Sequence, residues 1–152
     1  MKQFFKTTGI ILLALHLSSC AEDQPEMEES FYIEFGTRCG WCAGQEFVKV
    51  SAQKVVYTRT IPCGENEGTT IKSRHLTSLE WEAIQKAYNY NLFLTLDYNE
   101  CNVCADGCDE IIRIHDDTDT HELSYSPGEE VEGMENLRTK LHELMAEFTE
   151  ED

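Results

Sequence analysis

The residues of this chain whose type and spacing most directly imply chemistry are its seven cysteines. Cys39-Gly40-Trp41-Cys42 is a Cys-x-x-Cys pair behind a strand-like run. Two thiols at that spacing can exchange a disulfide with a partner when the first lies at a helix N-terminus. There, free amides and the helix dipole lower its pKa. The following Ala43-Gly44-Gln45 leads instead into a period-two strand, and no helix of useful length starts before Thr77. Cys101, Cys104 and Cys108 make a second cluster that could ligate a soft ion such as Cu(I). The pairs 39/42 and 101/104 would also supply four zinc thiolates, although the roughly 60 residues between them exceed the short spacers of zinc ribbons. The third reading is structural. Cys39, Cys42, Cys63, Cys101, Cys104 and Cys108 form an even set in a small domain, which favours up to three disulfides among fifteen pairings. Disulfides are the reading adopted, with no metal and no cofactor; the redox and metal readings stand as alternatives.

Cys20 has a different setting. Lys2 and Lys6 precede an uncharged apolar run to Leu17, about the length of a secretory h-region and short of the ~20 residues that span a bilayer. Leu17-Ser18-Ser19-Cys20 then resembles the bacterial lipobox, in which the cysteine becomes the lipidated first residue. Each buried CH₂ of an acyl chain such as palmitate contributes about 0.8 kcal/mol, so two or three chains hold a small domain stably. The expected organisation is a leader over residues 1–19, a lipidated and acidic flexible tether over 20–30, and one domain over 31–149. An acidic stretch after the lipidated cysteine also resembles, in one phylum of Gram-negative bacteria, a signal for transfer to the cell surface.

The whole chain carries a formal charge of −17, and removing Lys2 and Lys6 with the leader takes it to −19. A field of that sign repels nucleic acid and anionic headgroups. Catalytic signatures are missing from the sequence: there is no Gly-x-Ser-x-Gly, no phosphate-binding glycine loop and no His-Glu-x-x-His. Asp116, Asp117 and Asp119 read as turn residues, not as a calcium loop. Matching apolar faces pairs Ile114 with Leu123 and Ile112 with Tyr125, which places His115 and His121 on opposite faces of a hairpin.

The elements that must position these residues are short. Phe31 to Phe35 reads as a strand ended by Gly36, and Phe47–Ser51 with Lys54–Thr60 as a hairpin around Ala52-Gln53. Thr69 to Arg74 could extend the strands. Thr77-Ser78-Leu79-Glu80 is a capping box, with Leu76 and Trp81 placed as a hydrophobic staple and Trp81, Ile84 and Tyr88 on one helical face. Ile111–His115 and Thr120–Tyr125 form a second hairpin. Leu137, Leu141, Leu144, Met145 and Phe148 make the apolar stripe of a last helix. The expected fold is α+β in the order β-β-β-α-β-β-α: two hairpins plus an N-terminal strand in an antiparallel sheet, with two helices on one face.

Phe35-Gly36-Thr37 leading into a Cys-Gly loop, a hairpin, Leu76-Thr77 opening a helix with Trp81, and a hairpin–helix ending together resemble small lipoproteins of Bacteroidota that carry a domain of unknown function. The likeness is one of layout over roughly residues 31–148, and it transfers no catalytic residues. The functional expectation is a non-enzymatic lipoprotein of the bacterial envelope, anchored at the outer membrane through Cys20. It would act as a binding or interaction module toward an unnamed protein or small ligand. A periplasmic thiol-redox protein using Cys39/Cys42 and a metal-binding lipoprotein using Cys101/Cys104/Cys108 are the rivals.

Overall fold

Alternating apolar residues form a six-stranded, wholly antiparallel sheet because each strand has one face to bury. The computed structural model describes residues 30–117 and 119–149; the leader, Cys20 and the tether lie outside them. The strands are β1 (Phe31–Cys39), β2 (Gln45–Val50), β3 (Lys54–Ile61), β4 (Gly68–His75), β5 (Cys108–Asp116) and β6 (Asp119–Tyr125). Their order across the sheet is β4-β3-β2-β1-β5-β6, so β1 is central and paired on both sides. Among the described residues three helices accompany them: α1 (Ser78–Gln85), α2 (Tyr90–Phe93) and α3 (Glu135–Thr149). A 3₁₀ turn spans Asn102–Ala105.

Ile33, Phe35, Val48, Val50, Val55, Tyr57, Ile112, Ile114, Leu123 and Tyr125 point to one face. Against them pack Ile84 of α1, Phe93 of α2, and Leu137, Leu141, Leu144 and Phe148 of α3. The α+β class and the antiparallel sheet are therefore as expected, while the element order is richer. Two additions account for it. β4 is a full strand, mostly exposed, at the sheet edge. Its Lys72 and Arg74 reach α3, with Lys72 Nζ donating to the Phe148 carbonyl at 2.9 Å and Arg74 pairing with Glu147 at 2.6 Å. Charge on an edge strand also discourages a further chain from adding to it. The other addition is α2, a single turn whose N-cap Asn89 accepts from the Leu92 amide.

Gly36, expected to end the first strand, instead lies inside β1. A Cβ there would sit 1.9 Å from the Glu46 carbonyl oxygen and 2.8 Å from the Phe47 ring, so glycine permits β2 to approach rather than breaking the strand. The β5–β6 register is also corrected. Ile114 faces His121, and Ile112 faces Leu123, a shift of two residues from the expected pairing. Asp116 pairs with Asp119, and Asp117 takes a φ of 45°, so the tight connection sets the register. A shift by two preserves faces. His115 stacks on Tyr32 at 4.7 Å on the open face, while His121 meets Phe93 edge-on at 5.0 Å on the helical face.

The capping box forms as the sequence implies. The Glu80 amide donates to Thr77 Oγ1 at 3.3 Å and the Thr77 amide to Glu80 Oε2 at 2.8 Å, with Leu76 buried before it. Hydrogen bonds from the Thr77 side chain, its backbone and Arg74 hold the Glu80 carboxyl at about 2, below its ordinary 4.5. A lowered carboxylate contributes stability above its unfolded value and loses it as pH falls through the folded one. The Thr77→Ala chain is expected to lose about 1 kcal/mol at neutral pH. Because this carboxylate is part-exposed and screened by solvent, the second sign is a slope: the substituted chain loses less additional stability between pH 4.5 and 2. Urea unfolding across that range reads both.

Candidate functional site

All six cysteines of the domain meet at one end of the sheet. β1 ends at Cys39 and β5 begins at Cys108; the two are directly opposed across the ladder and joined by a disulfide with their Cα atoms 4.0 Å apart. Cys42, in the loop to β2, bonds to Cys63, which follows β3. Cys101 bonds to Cys104 across the 3₁₀ turn. Structural disulfides are thus present, in one of the fifteen pairings that sequence leaves open.

This pairing bears on both alternatives. Cys39 and Cys42 bond to different partners, so they share no disulfide to exchange, and β2 rather than a helix follows them. Cys101 and Cys104 hold each other while Cys108 is bonded to Cys39, so those three sulfurs do not face one ion as thiolates. Among the described residues no group of three His, Cys, Asp or Glu side chains is placed to hold a metal.

The loop between Cys39 and Cys42 is closed by short contacts. The Cys39 amide donates to the Gly44 carbonyl and the Gly40 amide to the Gly107 carbonyl, both at 2.8 Å. Gly40 rests on the 3₁₀ turn so tightly that a Cβ would lie 2.8 Å from the Asp106 Cα. At the loop tip Trp41 has a φ of 53° and its residue surface is 83% exposed. Left-handed backbone is uncommon for a bulky residue and costs on the order of 1–3 kcal/mol, so it persists only where surroundings enforce it. Here the flanking disulfides and the Gly40 and Gly44 contacts enforce it. The sequence shows Trp41 only as the residue between two cysteines; the glycines on either side of the loop are the local sign of a tight turn.

Two buried carboxylates brace this end, and nothing in the sequence singles them out among 29 acids. Asp109 is 2% exposed and accepts from the Asn102 amide at 2.7 Å and the Val103 amide at 3.3 Å, which caps the 3₁₀ turn. Glu110 is buried beside it. Its Oε1 accepts from the Tyr125 hydroxyl at 2.6 Å and from Arg138 Nε at 2.7 Å, and His142 approaches Oε2 at 3.4 Å. Burial, then the bond to Glu110, pushes the Tyr125 phenol well above its ordinary value. This cluster ties α3 to β5.

The helix-free face of the sheet holds a shallow concavity of about 410 Å³ with Arg38, Lys49 and Arg113 on its walls. Two of its three cations are engaged: Arg113 pairs with Glu34 and Glu122, and Lys49 lies 3.7 Å over the Tyr32 ring. Arg113 thus forms a cross-strand ladder of opposite charges with Glu34 and Glu122. No protein-family model matches this chain, and no curated protein matches it significantly.

Proposed function

We propose that this is a lipid-anchored lipoprotein of the bacterial envelope that works as a non-catalytic binding module through its disulfide-bonded end. The leader and Leu17-Ser18-Ser19-Cys20 support the anchor, and the layout likeness to small Bacteroidota lipoproteins agrees with it. Three disulfides suit a compartment where they persist. The strong negative charge argues against a nucleic-acid partner. The observation that carries the binding reading is Trp41, an exposed indole fixed in a strained backbone on a clamped loop. Tryptophan is enriched among the residues that dominate binding energy, and a rigid presenter loses little entropy when it docks.

Geometry adds a direction. β1 starts at Phe31, where the tether arrives, and delivers the chain to Cys39 roughly 27 Å away at 3.3–3.4 Å per residue. Trp41 therefore faces away from the tethered end. The test places a photo-crosslinking residue at exposed Ala43 in cells carrying the lipidated protein, with a control at Leu79, which is 79% exposed beside the opposite end. A discrete adduct from position 43, lost in Trp41→Ala and not formed from position 79, is the expected result. Equal adducts with and without Trp41, or none at 43, would overturn the reading.

A further inference from the structure

We propose that Cys101–Cys104 is a thiol–disulfide exchange site that opens and re-forms in the folded protein by reaction with a dithiol, while Cys39–Cys108 and Cys42–Cys63 stay closed. Three independent observations carry this. Cys101 and Cys104 are both exposed, whereas Cys39 and Cys108 are both partly covered and Cys42, itself exposed, is bonded to the partly covered Cys63. A thiolate attacks a disulfide along the S–S axis from the side opposite the leaving sulfur, so this bond is open to attack at either of its sulfurs. Next, the pair closes a sequence separation of 3, against 21 and 69 for the others. A loop that short removes little freedom from the unfolded chain, and opening it sets little chain loose.

The third observation is that the turn does not depend on its disulfide. Asp109 receives the Asn102 and Val103 amides, the Gly107 amide donates to the Asn102 carbonyl at 2.8 Å, and the Cys104 amide to the Cys101 carbonyl at 3.2 Å. Cys108, one residue past Gly107, is pinned to Cys39. After reduction these bonds hold the turn in place, so the bond re-forms without refolding of the chain.

The exchange balances as follows. A thiolate of the dithiol attacks one sulfur of the pair and forms a mixed disulfide, and the departing cysteine thiolate takes a proton. The second thiol of the dithiol, deprotonated, then attacks its own partner sulfur and releases the other cysteine, which is protonated in turn. Two electrons and two protons pass to the pair, and the dithiol leaves as its disulfide. In the reverse direction the protein reduces a disulfide of the partner.

The test equilibrates the folded, full-length protein in graded dithiothreitol, alkylates free thiols, and locates the label by peptide mass spectrometry. Cys101 and Cys104 are expected to label at dithiol concentrations at least tenfold lower than the other four. The far- and near-ultraviolet dichroism should be unchanged at that point. Dilution into oxidised dithiothreitol should restore the bond. Opening of either other disulfide first or together with this one, protection of Cys101 and Cys104 until the fold is lost, or failure of the bond to re-form would each overturn the proposal.

Discussion

Replacing Cys39 and Cys108 together by serine is expected to lower unfolding free energy by about 4 kcal/mol, the largest loss among the three disulfides on chain-entropy grounds. The bond closes a separation of 69 residues, and without it the unfolded chain regains the freedom of that loop. The folded chain loses little in exchange, because the β1–β5 ladder still pairs every position from Phe31 to Cys39. Removing Cys42–Cys63, with a separation of 21, should cost about 3 kcal/mol, and removing Cys101–Cys104, with a separation of 3, about 2 kcal/mol or less. Urea unfolding of the three double-serine chains in a non-lipidated Cys20→Ser background gives the ranking. An inverted order would mean that native contacts, not loop closure, set the contribution of these bonds.

The second large effect lies behind the same end of the sheet. Arg138→Met should cost about 3 kcal/mol, because it leaves the buried Glu110 carboxylate without its cation. The guanidinium also donates to the Glu129 carbonyl at 2.6 Å, so the loop before α3 loses an anchor in the same step. The double variant Glu110→Leu, Arg138→Met removes the charge with its partner and should recover much of the loss, since replacing both members of a buried pair with apolar groups is often close to neutral. Tyr125 would then keep a buried hydroxyl without its acceptor, which limits the recovery. Equilibrium unfolding of the two single chains and the double chain closes the cycle. Strict additivity of the two single losses would show that the contact at 2.7 Å carries no coupling energy.

Local signals were legible and distant ones were not. The Thr77–Glu80 box forms as read because its bonds span three residues, and the α3 stripe buries Leu137, Leu141, Leu144 and Phe148 because helical period alone chooses the face. Gly36 misleads because its role is to admit Glu46 and Phe47 from another strand, which its own neighbours do not reveal. β4 is faint because an edge strand whose residues are mostly exposed lacks clean apolar alternation. The β5–β6 register differs by two because apolar matching tolerates even shifts and the turn decides between them. Of the candidate site, the cysteines were visible and their partners were not. The posture of Trp41 and the Glu110 cluster arise from contacts between segments far apart in sequence, while the Asp109 cap, only six to seven residues from its amides, carries no motif that marks it.

The central place of β1 has a mechanical consequence. A pull between the chain entering at Phe31 and a partner held at Trp41 runs along the length of this one strand. The load is carried by the covalent backbone of a strand that is already extended, and the hydrogen bonds to β2 and β5 lie across that line and bear little of it. The Cys39–Cys108 bond fastens the far end of β1 to β5 and so keeps the base of the Trp41 loop on the sheet. Tension at the loaded end would therefore pass through the stiffest part of the sheet and leave β4, β6 and the helices outside its path.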